Sequence, residues 1–186
     1  MGRGRRSALL VIDMLRDFLE GPFAAPGGKR LVGRVRGALD RARTRGIPVF
    51  FICDAHAPGD TEFAVMPPHA LEGTAGAEIV ADLAPRAGEI VVKKRNYSGF
   101  FDTHLADSLG EGDVGTIALC GLQTDCCVIH TAADGFFRGF EIVILEDAVA
   151  ARTEAGHRRA LAEMKRLYGA RILASETFLD RALAPR

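Results

Sequence analysis

The chain has no net charge, few cysteines and no long apolar run, and each shortage removes a class of function. Its 24 Lys and Arg are matched by 24 Asp and Glu, with the two signs mixed along the sequence. That balance lacks the electrostatic footprint by which nucleic acid or an anionic membrane surface is bound. No apolar run reaches the roughly 20 residues that span a bilayer. The opening MGRGRRSALLVIDML sets arginines before an apolar run, as a secretory leader does, but the run is short and Asp13 interrupts it. Arg6 stands where an N-myristoylation signal starting at Gly2 wants Ser or Thr. A soluble, cytoplasmic protein is expected, with a small molecule as its partner. In that compartment the four cysteines stay reduced, so the adjacent pair Cys126 and Cys127 reads as catalytic or metal-binding. Adjacent cysteines rarely bridge each other without strain. The GTAGA segment is too loose for a phosphate-binding loop and no dinucleotide fingerprint follows the first apolar run, so no organic cofactor is expected.

What is present is enough for one good core: 186 residues, 48% of them hydrophobic, which predicts a single domain over residues 1–186. The runs ALLVID, IPVFFIC, EIVVKK, VGTIALCG and FEIVILED read as strands, with ARILAS a weaker sixth. They are rich in Val and Ile without clean polar alternation, as strands covered on both faces are. Helical periodicity occupies about 29–45, 102–110, 127–138 and 154–167, followed by Gly46, Gly110, Gly139 and Gly169 as stop signals. Alternating strand and helix predicts an α/β fold, a three-layer α/β/α sandwich around a mainly parallel sheet of about six strands, Rossmann-like in plan. Residues 54–77 show no sustained period, and a loop that long in a compact domain is usually functional.

In such sheets the chemistry sits at the carboxyl ends of the strands. The first run ends at Asp13, the second at Cys53 and Asp54, the third at Lys93 and Lys94, and the fourth runs through Gly121 into the cysteine pair. An acid, a base and a thiol from separate strands would therefore meet at one rim. A thiol is mostly protonated at neutral pH and needs a base, a cation or a helix N-terminus to become a nucleophile. Cys127 would have all three, with Asp13 taking the proton and Lys94 supplying the positive charge. Asp54 and His56 lie two apart and so can project from one side of an extended segment. With His69 from the same loop they make a ligand set suited to zinc or a similar divalent ion.

The segments LLVIDMLRDF, DAH followed by PPHALEGTAGAEI, VVKKRNYSGFFDTHL, and GLQTDCCVIHTAADGFFRGFEIVILEDAVAA together resemble the isochorismatase-like cysteine hydrolases, in order and over nearly the whole chain. This family includes nicotinamidases and N-carbamoylsarcosine amidases. The resemblance implies the isochorismatase-like hydrolase fold and a triad of Asp13, Lys94 and Cys127, with Cys126 in a variable position. Lys94 rather than Lys93 is implied because the family lysine stands three residues before a Tyr-Ser pair, here Tyr97 and Ser98. It further implies a cis peptide at Leu122–Gln123, with the backbone N–H groups of Gln123 and Cys127 as an oxyanion hole.

The implied activity is hydrolysis of a small amide or carbamoyl compound through a thioester, with release of ammonia. The sequence favours the N-carbamoylsarcosine amidase-related members; the alternatives are a nicotinamidase and a non-catalytic interaction protein retaining the fold. Nicotinamidase-like members bind a metal with such a ligand set. Many carry a further histidine where this chain has GDTEF, so three readings stay open: three ligands plus water, a contribution from Glu62, or an empty site. Phe18, Met66 and Tyr97 are the implied substrate contacts, Met66 replacing an aromatic residue common in nicotinamidases. Arg95 offers a group for a substrate carboxylate. His104, His130 and His157 read as structural or surface residues. The family's habit of association predicts a homodimer or homotetramer, with FFDTHL and GFFRGF as contact candidates.

Overall fold

Successive side chains leave a strand on opposite sides, and in strand β1 (Arg6–Ile12) both sides are buried. Leu9 and Val11 enter one apolar cluster, while Ala8, Leu10 and Ile12 enter another. This is why the run shows no polar alternation. The computed structural model describes residues 6–21, 23–24 and 27–181, so the arginine-bearing residues 1–5 lie outside the described residues.

Beside β1 stand β2 (Val49–Asp54), β3 (Ile90–Lys94), β4 (Val114–Leu122), β5 (Glu141–Ala150) and β6 (Arg171–Leu173), in the order β3-β2-β1-β4-β5-β6. Every neighbouring pair is parallel. The helices are α1 (Arg16–Leu19), α2 (Gly28–Thr44), α3 (Leu105–Glu111), α4 (Ile129–Phe137), α5 (Glu154–Tyr168) and α6 (Ser175–Arg181). Leu31, Val35 and Leu39 of α2, with Phe178 of α6, cover one face of the sheet. Leu105 and Leu109 of α3, Ala132 of α4, and Ala160 and Met164 of α5 cover the other. The result is the expected three-layer α/β/α arrangement. Fully burying one such aliphatic side chain is worth about 1.5–3 kcal/mol, and this core lets the rim carry buried charges that contribute little to stability.

The helix boundaries differ from expectation in two instructive places. Gly46, Gly139 and Gly169 do take left-handed φ values of 65°, 86° and 61°, as helix stops should. Gly110, however, lies inside α3, and the chain turns at Asp113 instead, with φ of 51°. The segment expected to be helical from residue 127 begins as a wide turn at Thr124–Val128, and regular helix starts at Ile129. Such wide turns often accompany functional sites.

The strand order reverses between β1 and β4, the position where ligands bind in open parallel sheets. Close approach of these two strands requires Gly121: its φ is 108°, and a Cβ there would stand 2.0 Å from the Ile12 carbonyl oxygen. The long connection from β2 to β3 folds over the rim through short 3-10 turns at Thr61–Ala64, Ala75–Ala77 and Ala81–Leu83, and through a bridge between His56 and Leu71. Among the described residues no helix is long and apolar enough to cross a membrane.

Candidate active site

Each strand end delivers one side chain, and parallel register decides which. In β3 the alternation sends Lys93 outward, where its Nζ meets Glu72 at 2.6 Å, and Lys94 inward, where it is 2% exposed. Asp54 stands directly opposite Lys94 in the β2–β3 register, so the two form a buried cross-strand ion pair through Asp54 Oδ1. Asp13 leaves β1 with φ of 49°, a left-handed conformation that costs a non-glycine residue about 1–3 kcal/mol. Its N–H donates to the Ile52 carbonyl at 2.8 Å, and its Oδ1 accepts from Asp54 N–H at 2.9 Å. These bonds hold the strained residue in place.

Lys94 is the centre of the cluster. Its Nζ lies 2.9 Å from Asp13 Oδ2, bonds Asp54, and donates toward Cys127 Sγ at 3.5 Å. The Asp13 contact is an ion pair without hydrogen-bond alignment, so Asp13 Oδ2 is buried with no hydrogen-bond partner. Carboxylate oxygens of Asp13 and Asp54 and the Cys127 sulfur lie within 4.8 Å of one another. Three such groups could hold a metal ion, but the Lys94 ammonium already occupies the cation position among them. The peptide Leu122–Gln123 is cis, where the resemblance implied it.

The protonation preferences follow from burial. Desolvation, reinforced by Asp54, raises the Asp13 carboxyl to about 6 against the attraction of Lys94. A hydrogen bond with Cys126 and burial hold the Cys127 thiol well above its ordinary range, despite Lys94. Burial opposes the charge on Lys94, but Asp13 and Asp54 outweigh it and keep the ammonium protonated. The free site therefore holds a thiol beside a carboxylate of raised basicity, not a preformed thiolate. Cys53 and Cys120 are buried core residues whose thiols desolvation pushes up.

Asp54 faces two ways. Its Oδ1 bonds Lys94, while its Oδ2 lies 3.8 Å from His56 Nε2 and 3.9 Å from His69 Nε2. Glu62 closes the same space, at 3.8 Å from His56 Nε2 and 3.5 Å from His69 Nε2. Ligands about 2.1 Å from a tetrahedral ion stand about 3.4 Å apart, so the Asp54, His56 and His69 donors, all within 4.8 Å of one another, fit around one divalent ion, with Glu62 at its edge. His69 Nδ1 bonds the Pro67 carbonyl at 2.8 Å and His56 Nδ1 bonds Asp60 at 2.9 Å, which leaves both Nε2 atoms facing the gap. His56 Nε2 is buried without a hydrogen-bond partner. Phe18 and Phe23 pack on the His69 ring at 5.3 and 5.0 Å, and Phe63 on His56 at 5.0 Å, excluding water from the donors.

Of the residues expected to touch substrate, Phe18 is buried beside His69, and Met66 packs half-buried on the apolar cluster that contains Phe18. Tyr97 is half-buried on the cluster that contains Cys127. Arg95, expected to offer a group to a substrate carboxylate, places its Nε and Nη2 on Asp60. His130 and His157, expected to be structural or surface residues, brace the nucleophile turn. His130 Nδ1 bonds the Cys126 carbonyl at 2.7 Å and its ring packs on Tyr97, while His157 bonds the buried Thr124 at 3.0 Å. His130 falls three residues after Cys127, a helical spacing that hints at a shared face; nothing in the sequence pairs His157 with Thr124.

A buried acid, ammonium and thiol at the switch point of a parallel sheet are the equipment of a hydrolase. The chain belongs to the isochorismatase family, whose Isochorismatase domain model matches residues 7–177. It is 32% identical over 185 residues to the isochorismatase family protein PncA of Bacillus subtilis, covering 90% of this chain and 98% of that protein. It is similar to the crystal structure of N-carbamoylsarcosine amidase from Thermoplasma acidophilum, with a TM-score of 0.87, 37% identity and coverage of 92% and 97% of the two chains. The pyrazinamidase of Pyrococcus horikoshii, solved in complex with zinc, gives a TM-score of 0.85 at 31% identity, covering 91% of this chain and 99% of that one.

Proposed function

We propose that residues 1–186 form one cysteine hydrolase domain that cleaves the C–N bond of a small amide or carbamoyl compound and releases ammonia. The observation that carries this reading is the convergence of Asp13, Lys94 and Cys127, each nearly inaccessible to bulk water. In the proposed order, Asp13 takes the Cys127 thiol proton as Sγ bonds the substrate carbonyl carbon. The backbone N–H groups of Gln123 and Cys127 hold the resulting oxyanion. Asp13 returns the proton to the nitrogen, the C–N bond breaks, ammonia leaves, and a thioester remains on Cys127. Asp13 then deprotonates a water that hydrolyses the thioester and frees the thiol. Lys94 holds Asp13 and Asp54 apart as anions and offsets the charge that passes to the sulfur.

Asp54, His56 and His69 would hold a divalent ion, with water or Glu62 completing the set and with zinc the reading favoured by two imidazoles and by the zinc-bound pyrazinamidase relative. A bound ion would orient and polarise a donor atom of the substrate. Phe18, Met66 and Tyr97 would supply the substrate contacts. N-carbamoylsarcosine amidase-related chemistry is favoured by the 37% identity to that amidase, and deamidation of nicotinamide is the alternative. A cytoplasmic homo-oligomer completes the reading, with the exposed Phe101 and Phe137 as its contacts.

The test is ammonia release from nicotinamide, N-carbamoylsarcosine, ureidoacrylate, biuret and aliphatic amides, with Cys127→Ala alongside. Turnover of one compound that disappears in the variant is expected. A variant that retains full turnover would exclude the cysteine mechanism.

A further inference from the structure

Asp60 is buried and its carboxylate is engaged by the protein itself. Its Oδ2 accepts from His56 Nδ1 at 2.9 Å and from Ala57 N–H at 3.0 Å. Arg95 completes the arrangement, with Nε 3.0 Å from Oδ1 and 3.1 Å from Oδ2 and with Nη2 on Oδ1. All the acceptor capacity of the carboxylate is used. Neighbouring Lys94 and Arg95 thus diverge, one cation going to the Asp13–Asp54 pair and the other to the loop that carries His56.

The two histidines differ in what holds them. His69 leans on a neutral backbone carbonyl, whereas His56 leans on an anion that Arg95 clamps from outside. A carboxylate behind an imidazole fixes the tautomer, with the proton on Nδ1, and strengthens Nε2 as a donor. Nε2 is the buried atom without a hydrogen-bond partner. We infer that Asp60 and Arg95 are positioning residues for a metal ion, Arg95 holding Asp60 in register so that His56 aims its Nε2 into the site. Arg95 suits this task because its planar fork engages both carboxylate oxygens, which a lysine cannot do. The inference rests on the reading of Asp54, His56 and His69 as a metal site.

The test measures zinc affinity of metal-stripped full-length protein by competition with a chromophoric chelator, and the visible absorption of the cobalt(II) form. Asp60→Asn and Arg95→Gln are expected to weaken zinc binding about 10–100-fold and to alter the cobalt spectrum, with Arg95→Lys recovering part of the loss. Alkylation of Cys127 by iodoacetamide in the metal-free proteins should stay at the wild-type rate, which separates a metal-directed role from general loosening. If Asp60→Asn fails to fold, Arg95→Gln against Arg95→Lys decides, since the Arg95 side chain is 59% exposed. Wild-type zinc affinity in both Asp60→Asn and Arg95→Gln would overturn the inference and leave the metal reading intact. A wild-type chain that takes up no zinc would overturn both.

Discussion

Strand β3 has an ion pair at each end, and the two are built to opposite purposes. Before the strand begins, Glu89 accepts from Arg43 Nε at 2.7 Å and Nη2 at 2.9 Å and from Arg86 N–H at 2.7 Å, while Arg43 also reaches the Ala84 carbonyl. Both Glu89 carboxylate oxygens are satisfied there. Where the strand ends, Lys94 meets two carboxylates and a thiol, and Asp13 Oδ2 and His56 Nε2 remain buried without hydrogen bonds. Those are the only such side-chain atoms among the described residues. A buried polar atom left without a hydrogen bond costs about 1–3 kcal/mol, so a fold that keeps two at one rim keeps them for a ligand or a reaction. Pairing at the first end fastens α2 to the sheet; incomplete pairing at the second leaves valence for chemistry.

The contrast is broken most severely at the nucleophile. Cys127→Ala should lower turnover by at least about 10³-fold, as removal of a nucleophile does elsewhere, while Cys126→Ala stays within about tenfold; steady-state ammonia release reads both. Lys94→Met should cost about 3–5 kcal/mol in urea unfolding, because it strands two buried carboxylates. The same substitution should also abolish activity.

Metal removal comes next. Zinc at 100 times its dissociation constant stabilises the folded state by about 2.7 kcal/mol, so chelation should lower Tm by about 5–10 °C for a chain of this size. His69→Ala should erase that difference. The smallest effect is at the other end of β3. Arg43→Ala should cost about 1 kcal/mol, or 2–4 °C in Tm, with activity unchanged.

That variant also changes the response to acid. Burial pushes the Glu89 carboxyl up, but the bonds from Arg43 and Arg86 outweigh it and hold it below the ordinary glutamate range. A lowered folded value gives stability above that range and loses it as pH falls through the folded value. Arg43→Ala should therefore flatten the acid-side loss in a pH series of melting curves, leaving the neutral-pH deficit in place.

Much of this was legible in the sequence because it rests on local pattern. Apolar runs marked all six strands, although β3 and β6 at the sheet edges are only partly covered, and the carboxyl ends of the first four named the rim residues. The resemblance separated Lys94 from Lys93 and Cys127 from Cys126. Asp54, His56 and His69 followed from spacing within one loop. Gly110 misled because a glycine inside a short helix looks like a glycine after one. The partnership of Arg95 with Asp60 was hidden for a different reason: the two are 35 residues apart, joined by a loop of no period, and an exposed-looking arginine gives no sign of which carboxylate it clamps. The position of Glu62 facing both imidazoles was equally a matter of how that loop folds.

The central claim is tested most directly by acid-quenching the protein with the amide it turns over fastest and measuring intact mass and the peptide that carries the adduct. A thioester of the substrate's acyl mass on Cys127, present in Cys126→Ala and absent in Cys127→Ala, is the predicted result. An adduct on Cys126, or undiminished turnover by Cys127→Ala with no adduct on any cysteine, would contradict it.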